Sequence, residues 1–277
     1  MTQEKIPLAG VIGSPISHSR SPLLHHHWLK ALGIKGHYIP MDVAQADLET
    51  VIRTLPKMGF VGVNITLPHK ETVMRIADQI TDRATVIGAA NTLIFRKDGI
   101  IHADNTDGYG FIENLKHGAP DWAPKEGPTL VLGAGGAARA IVAALADAGV
   151  PEIILSNRTR VRAEKLRDDF GQRIRVVDWV QVGNYMDEPN LLVNTTVLGM
   201  TGKPDLRISL DRLSADTVVT DIVYNPLETP LLQQAKQIGC TTVDGLGMLI
   251  YQGLPGFERW FGQRPVIDES TRAAILT

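Results

Sequence analysis

The chain has 277 residues, 44% of them hydrophobic, which suits one large α/β core or two smaller ones. A formal net charge of −2 excludes a general electrostatic attraction to nucleic acid or anionic lipid, so any basic residue must act locally. The single cysteine, Cys240, excludes an internal disulfide and is expected to be a small packed residue in a reducing compartment.

The opening Met-Thr-Gln-Glu-Lys lacks a basic-then-apolar leader. No apolar run approaches the roughly 20 residues that span a bilayer, so a cytoplasmic location away from membranes is expected. From Pro7 to Thr66, strand-like and helix-like segments alternate: Pro7 to Ile12, Pro22 to Leu32, Tyr38 to Val43, Asp47 to Pro56 and Gly59 to Thr66. That order predicts an α/β layer on a mostly parallel sheet.

Ser17-His18-Ser19-Arg20-Ser21-Pro22 precedes the first helix, so its hydroxyls suit either a helix cap or a carboxylate ligand. His25, His26 and His27 do not form a metal site, because consecutive helical residues point about 100° apart. Asn64-Ile65-Thr66-Leu67-Pro68-His69-Lys70 ends a strand, the place where α/β proteins present polar groups to a ligand. Lys70 reads as a solvated charge or as part of such a site, and Lys70 to Asp78 as a helix. Ala90 to Phe95 and Ile100 to Asp104 read as a hairpin around Arg96-Lys97-Asp98-Gly99. Asn91-Thr92 and Asp104-Asn105-Thr106-Asp107-Gly108 lie at the edges of these strands, where packing gives no reason to choose asparagine or aspartate.

A helix from Gly108 to Lys116 and a Pro/Gly-bearing stretch lead into Thr129-Leu130-Val131-Leu132, then Gly133-Ala134-Gly135-Gly136-Ala137-Ala138. A buried strand, a glycine turn and a helix from Ala137 to Ala148 make the start of a dinucleotide-binding βαβ unit. Gly133 permits the turn, Gly135 the approach of a pyrophosphate, and Ala138 close helix–strand packing. The second strand, Glu152 to Ser156, ends not in an acid but in Asn157-Arg158-Thr159, with Arg162 following. A guanidinium pairs with a ribose 2′-phosphate where an acid would bind free hydroxyls, so the site is written for NADP. A helix to Phe170 follows, then strands at Ile174 to Val177, Leu191 to Thr195, Val218 to Val223 and Thr241 to Val243, a helical segment to Trp260 and a final helix from Glu269 to Leu276.

Further spaced segments join these. They are Gly13 with Pro15, Asn194-Thr195-Thr196 with Gly199-Met200, Tyr224-x-Pro226-x-x-Thr229-Pro230, and Asp244-Gly245-Leu246-Gly247-Met248 with Gln252. With the segments above, in this order along nearly the whole chain, the sequence resembles the shikimate dehydrogenase family, NADP-linked enzymes of aromatic amino acid and chorismate biosynthesis. The resemblance implies a substrate-binding catalytic domain formed by residues 1–106 and 247–277, and a Rossmann-type NADP-binding domain at 107–246. It also implies C-terminal helices that return to the first domain.

The implied activity is reversible reduction of 3-dehydroshikimate to shikimate by hydride transfer from NADPH, with Lys70 as acid/base beside Asp107. Ser19 and Ser21 would hold the substrate carboxylate; Asn64, Thr66, Asn91, Asp107, Tyr224 and Gln252 would meet the rest of it. The cofactor would be held by Gly133, Ala134, Gly135, Gly136, Ala137, Asn157, Arg158, Thr159, Arg162, Thr195, Ile222, Gly245 and Met248. No metal is implied, and the expected partners are small molecules, with the chain a monomer or homodimer. Ser14 replaces an asparagine common in relatives, and Thr195 an alanine, which touches the packing of the cleft. The rivals are a quinate/shikimate dehydrogenase of broader specificity, against which serine at both 19 and 21 and the Arg158 pattern argue, and a catalytically silent NADP-binding sensor.

Overall fold

The computed structural model describes residues 6–276; residues 1–5, the opening read above as lacking a leader, lie outside the described residues. The chain divides into two units, Met1–Asp107 with Leu249–Thr277, and Gly108–Met248. The crossings fall one and two residues beyond those the resemblance implies. Both lie inside helices rather than loops, α4 (Asp107–Gly118) and α8 (Leu246–Phe261).

The first unit is built on a six-stranded sheet in the order β2-β1-β3-β5-β6-β4. Its strands are β1 (Leu8–Gly13), β2 (His37–Asp42), β3 (Phe60–Ile65), β4 (Gln79–Ile80), β5 (Thr92–Phe95) and β6 (Ile101–Asp104). The pairs β1/β2, β1/β3 and β4/β6 are parallel. The expected hairpin forms, and β5 runs antiparallel to both β3 and β6. This puts the ends of β3 and β6 and the start of β5 side by side, with Asn64 opposite Thr92 and Thr92 opposite Asp104. The core on one face joins Ile12, Ile52, Val63, Ile65, Leu93 and Ala103. On the other, Trp260 of α8 lies over β1 and β3 and donates its indole N–H to Leu93 O (3.1 Å). A side chain at Gly62 would put its Cβ 2.0 Å from that nitrogen, so only glycine lets α8 lie this close.

The helix expected from Lys70 to Asp78 does not form. Only a 3-10 turn, Thr72–Arg75, is present. The carbonyl of Lys70 accepts from Ala90 N–H (2.8 Å), and Asp78 N–H donates to Ile101 O (2.9 Å), so strand neighbours take the groups a helix would need. Two further elements, β4 and the short helix α3 (Asp82–Ile87), fill the stretch up to the hairpin.

The second unit is a parallel sheet in the order β12-β11-β10-β7-β8-β9, made of β7 (Thr129–Leu132), β8 (Ile153–Ser156), β9 (Ile174–Val177), β10 (Leu191–Asn194), β11 (Val218–Asp221) and β12 (Thr242–Val243). The order reverses at β7/β10, the Rossmann arrangement, in which ligands bind outside the carboxyl ends of the central strands. Helices α5 (Gly136–Ala148) and α6 (Arg160–Phe170) follow β7 and β8. Helix α7 (Pro230–Ile238), which leads into the helix-to-strand junction expected at Cys240, is capped by Thr229 Oγ1 accepting from Leu232 N–H. Cys240 is buried and its Sγ lies 3.3 Å from Ser214 O, a packed residue as expected. Among the described residues no helix is long and apolar enough to cross a membrane.

Candidate active site

The first unit gathers its polar residues where β3, β5 and β6 end. Lys70 Nζ donates to Asp107 Oδ2 at 2.5 Å, with the lysine side chain 12% and the aspartate 5% exposed. Lys70 is therefore not a solvated surface charge. The second carboxylate oxygen, Asp107 Oδ1, accepts from Asn91 Nδ2 (2.8 Å). The same amide nitrogen lies 2.9 Å from Gln252 Oε1, which α8 brings in from the far end of the chain. Asn91 Oδ1 accepts from the backbone N–H of Thr106 (2.8 Å), and Thr106 Oγ1 donates to Gln252 O (2.8 Å). Each group fixes the next, so the pair has little freedom to reorient.

Its supports are as specific. Asp107 N–H donates to Asn105 Oδ1, and Asn105 Nδ2 to Ala89 O. The carboxylate of Asp104 is gripped by Arg83 from two guanidinium nitrogens and by Thr81 Oγ1 (2.9 Å). Burial raises the pKa of that carboxyl, but hydrogen bonds and the charge of Arg83 outweigh it and leave the value below the ordinary one. Asp104 thereby stays anionic and holds the start of the Asn105–Asp107 segment.

Asn64 is buried and fully used inside the unit. Its Oδ1 accepts from Tyr38 OH (2.7 Å), while Nδ2 faces Asn91 O (3.1 Å) and Thr92 Oγ1 (3.2 Å). Thr66 is half-buried at the end of β3. The residues at 17–22 do not cap helix α1 (Ser21–Ala31): its N-cap is Arg20, with no side-chain bond, and Ser19 Oγ accepts from Ser21 N–H (3.3 Å). Arg20 instead reaches the carbonyl of Ile275 in α9 (Glu269–Leu276).

The three histidines separate as helix geometry requires. His25 is buried, His27 half-buried and His26 exposed, and no cluster of metal-ligating side chains occurs among the described residues.

In the second unit, the turn after β7 has Gly133 at φ +112°, open to glycine at little cost. A Cβ there would sit 2.4 Å from Thr195 Oγ1, the hydroxyl that donates to Leu132 O (2.6 Å). Gly135 faces open space and is the N-cap of α5, which no side chain caps. The free N–H groups and positive end of that helix suit a pyrophosphate, and the open Gly135 leaves room for one. Asn157 Nδ2 donates to Thr159 O (2.8 Å), and Arg158 and Arg162 are exposed. Ala134, Ala137 and Ile222 are half-buried near these turns. Gly245 is required because a Cβ there would meet Ile222 O at 2.4 Å. Met248 packs into the apolar core of the unit with Phe111, Val131 and Ile141.

This chain is 66% identical over 276 residues to the shikimate dehydrogenase (NADP(+)) of Roseobacter denitrificans, covering 100% of each chain. It belongs to the shikimate dehydrogenase family. Family models agree in three parts: the shikimate dehydrogenase substrate binding domain over residues 11–93, shikimate / quinate 5-dehydrogenase over 121–224, and the shikimate 5′-dehydrogenase C-terminal domain over 245–269. The shikimate 5-dehydrogenase of Thermus thermophilus, solved in complex with NADP(H) and shikimate, is 37% identical. It superposes with a TM-score of 0.87 over 98% of this chain and 99% of that one. Quinate dehydrogenase from Corynebacterium glutamicum, solved with NAD, is 31% identical with a TM-score of 0.90, covering 98% and 99% of the two chains.

Within this member of the shikimate dehydrogenase family, sequence reasoning passed over two residues that build the site, Tyr38 and Arg83. Tyr38 enters the sequence reading only as the start of a strand, and Arg83 lies in a stretch to which no element is assigned. Only the buried oxygens they meet, on Asn64 and Asp104, mark them out.

Proposed function

We propose that this chain is an NADP-dependent shikimate dehydrogenase that reversibly reduces 3-dehydroshikimate to shikimate. The observation that carries the reading is the full-length, 66% identity to a relative of that name. Two features of the chain support it: a largely buried lysine–aspartate pair within an amide network, and a glycine turn followed by cations rather than an acid.

Bound NADPH supplies a hydride to the C3 carbonyl carbon. As that carbon–oxygen double bond becomes single, the oxygen gathers negative charge and needs a proton. The Lys70 ammonium, with one of its hydrogens directed at Asp107, has others to offer that oxygen, both as charge and as proton. Asp107 holds the ammonium in place and accepts from the neighbouring substrate hydroxyl. Asn91 keeps Asp107 oriented through Oδ1, and Gln252 offers its amide to the ring oxygens. Ser19 and Ser21 face the carboxylate, with Thr66 and Tyr224 completing the ring contacts. Asn64, engaged on both ends of its amide, acts by holding the Asn91 segment as much as by touching substrate. In reverse, Lys70 gives up the proton before shikimate oxidation and takes up that of the hydroxyl.

Gly133 to Ala137 and the N-terminus of α5 would hold the cofactor's pyrophosphate, and Asn157, Arg158, Thr159 and Arg162 its 2′-phosphate. Thr195, Ile222, Gly245 and Met248 would complete the cofactor site. A cytoplasmic monomer or homodimer acting on small molecules is the setting for this reading. A quinate-accepting enzyme is the second reading, favoured by the close superposition on quinate dehydrogenase. Initial rates with shikimate and quinate, each with NADP and with NAD, separate the two. Fast turnover only for shikimate with NADP is expected. Comparable rates with quinate or NAD overturn the narrow specificity, and no turnover despite NADPH binding makes the chain a silent sensor.

A further inference from the structure

Between β10 and β11 the chain runs from Thr195 to Thr217 without helix or strand, yet its first part is firmly fixed. Gly199 N–H donates to Pro204 O (2.8 Å), Lys203 N–H to Met200 O (2.9 Å) and Thr201 N–H to Asn225 O (2.9 Å). Gly199 and Gly202 adopt positive φ, +87° and +78°, closing a tight loop with Lys203 near its tip. Farther on, Leu206 and Leu210 are buried in the core with Leu192 and Val219, which fixes Arg207 between them. Both cations are thus set on anchored backbone.

They share a cavity of about 420 Å³ lined by Arg158, Trp179, Leu198, Lys203, Pro204, Asp205 and Arg207. Arg158 is the residue at the end of β8 already placed at the ribose phosphate, so the cavity opens from the edge of that site. Three cations face it against one acid. None of the three has a carboxylate partner among the described residues, which is also true of Arg162 and Arg173, whereas Arg139, Arg160, Arg167, Arg175 and Arg212 of the same unit have one. Unpaired cations converging on a pocket with an aromatic wall are the donor set of an anion attached to a flat, apolar group.

We infer that Lys203 and Arg207 form a second clamp on the 2′-phosphate of NADP, across the cavity from Arg158, and so share in discriminating NADP from NAD. This rests on the NADP reading above and extends it to two residues that the glycine-turn fingerprint does not contain. Electrostatic selection is distributed over two chain segments, after β8 and after β10, so loss of one segment weakens the preference without abolishing it.

The test is calorimetric binding of adenosine 2′,5′-bisphosphate and of 5′-AMP to the full chain and to the Lys203→Ala/Arg207→Ala double variant. Both side chains are exposed, so the fold is retained, and circular dichroism checks it. Wild type is expected to prefer the bisphosphate, and the double variant to bind it about tenfold more weakly, the size of one or two charge-assisted contacts. Binding of 5′-AMP stays within about twofold, and the bisphosphate affinity of the variant falls less steeply with added salt. An equal loss for both probes, or no loss for either, overturns the clamp while leaving the NADP reading intact. A wild-type chain that does not distinguish the probes overturns both.

Discussion

His25 makes acid stability a direct test of how the first unit is packed. Its imidazole is fully buried, stacked on the ring of Tyr38 at 3.8 Å and 6°, with Trp28 edge-on at 5.3 Å. Neither ring nitrogen has a hydrogen-bond partner among the described residues. Burial, with a smaller contribution from the charge of His26, lowers its pKa from 6.5 to about 3. Because the folded pKa is the lower one, the unfolded chain takes up the proton first as pH falls. The stability tied to neutral His25 is complete above pH 6.5 and is lost progressively down to about pH 3. At about 1.4 kcal/mol per pH unit, the loss is about 2 kcal/mol between neutral pH and pH 5. His25→Phe keeps a ring for the stack and removes the titration. Urea unfolding followed by tryptophan fluorescence, at pH 7.5 and pH 5.0, compares the two chains. Wild type is expected to lose about 2 kcal/mol more than the variant on acidification. The variant is expected to be no less stable at pH 7.5, since two unpaired polar atoms disappear. Equal losses in both chains would show that the buried ring is not held neutral, and would refute the reasoning.

The remaining predictions reach the site and the second unit. Lys70→Ala should cut turnover by about 10²–10⁴ while moving KM for shikimate much less, read by steady-state kinetics; near-unchanged turnover removes Lys70 from the chemistry. Asp221 is buried at the end of β11 and accepts from Asn194 Nδ2, Val223 N–H and Thr229 Oγ1 at 2.8–3.0 Å. Burial dominates over these bonds and pushes its carboxyl up to about 6. Its folded pKa is the higher one, so its effect has the opposite sign to that of His25: stability rises as pH falls from about 6 towards 3.8. Asp221→Asn should remove that rise in the same urea experiment, and a variant with the wild-type pH profile would contradict it. Gly62→Ala should cost about 3 kcal/mol or more, seen as a lowered Tm, because the new Cβ meets both Trp260 Nε1 and Leu93 O. A Tm within a degree of wild type would mean that α8 moves away freely.

Much of the molecule was legible from local pattern. Short apolar runs at βα spacing gave the parallel sheet of the second unit, because fully buried strands read as continuous hydrophobic segments. The Gly133–Ala137 turn and Asn157-Arg158 carried the nucleotide reading, because a phosphate site made largely of backbone and cations is written in contiguous residues. Elements whose partners are remote were less legible. The stretch after Lys70 has helical spacing, but Ala90 and Ile101 take its backbone groups.

The sequence by itself determined the class of fold, the cofactor chemistry and the family, all carried by contiguous motifs in fixed order. Only the tertiary structure decided which polar residues work together. Lys70, Asn91, Asp107 and Gln252 come from four distant stretches, and their meeting depends on an antiparallel β5 and on glycine at position 62 beneath Trp260. It also decided that His25 is a packed ring and not a surface histidine, since burial is set by Tyr38 and the helix that closes over it. The division follows from range: backbone propensity and turn chemistry act over a few residues, whereas the burial and pairing of a charge depend on whatever the rest of the chain places beside it.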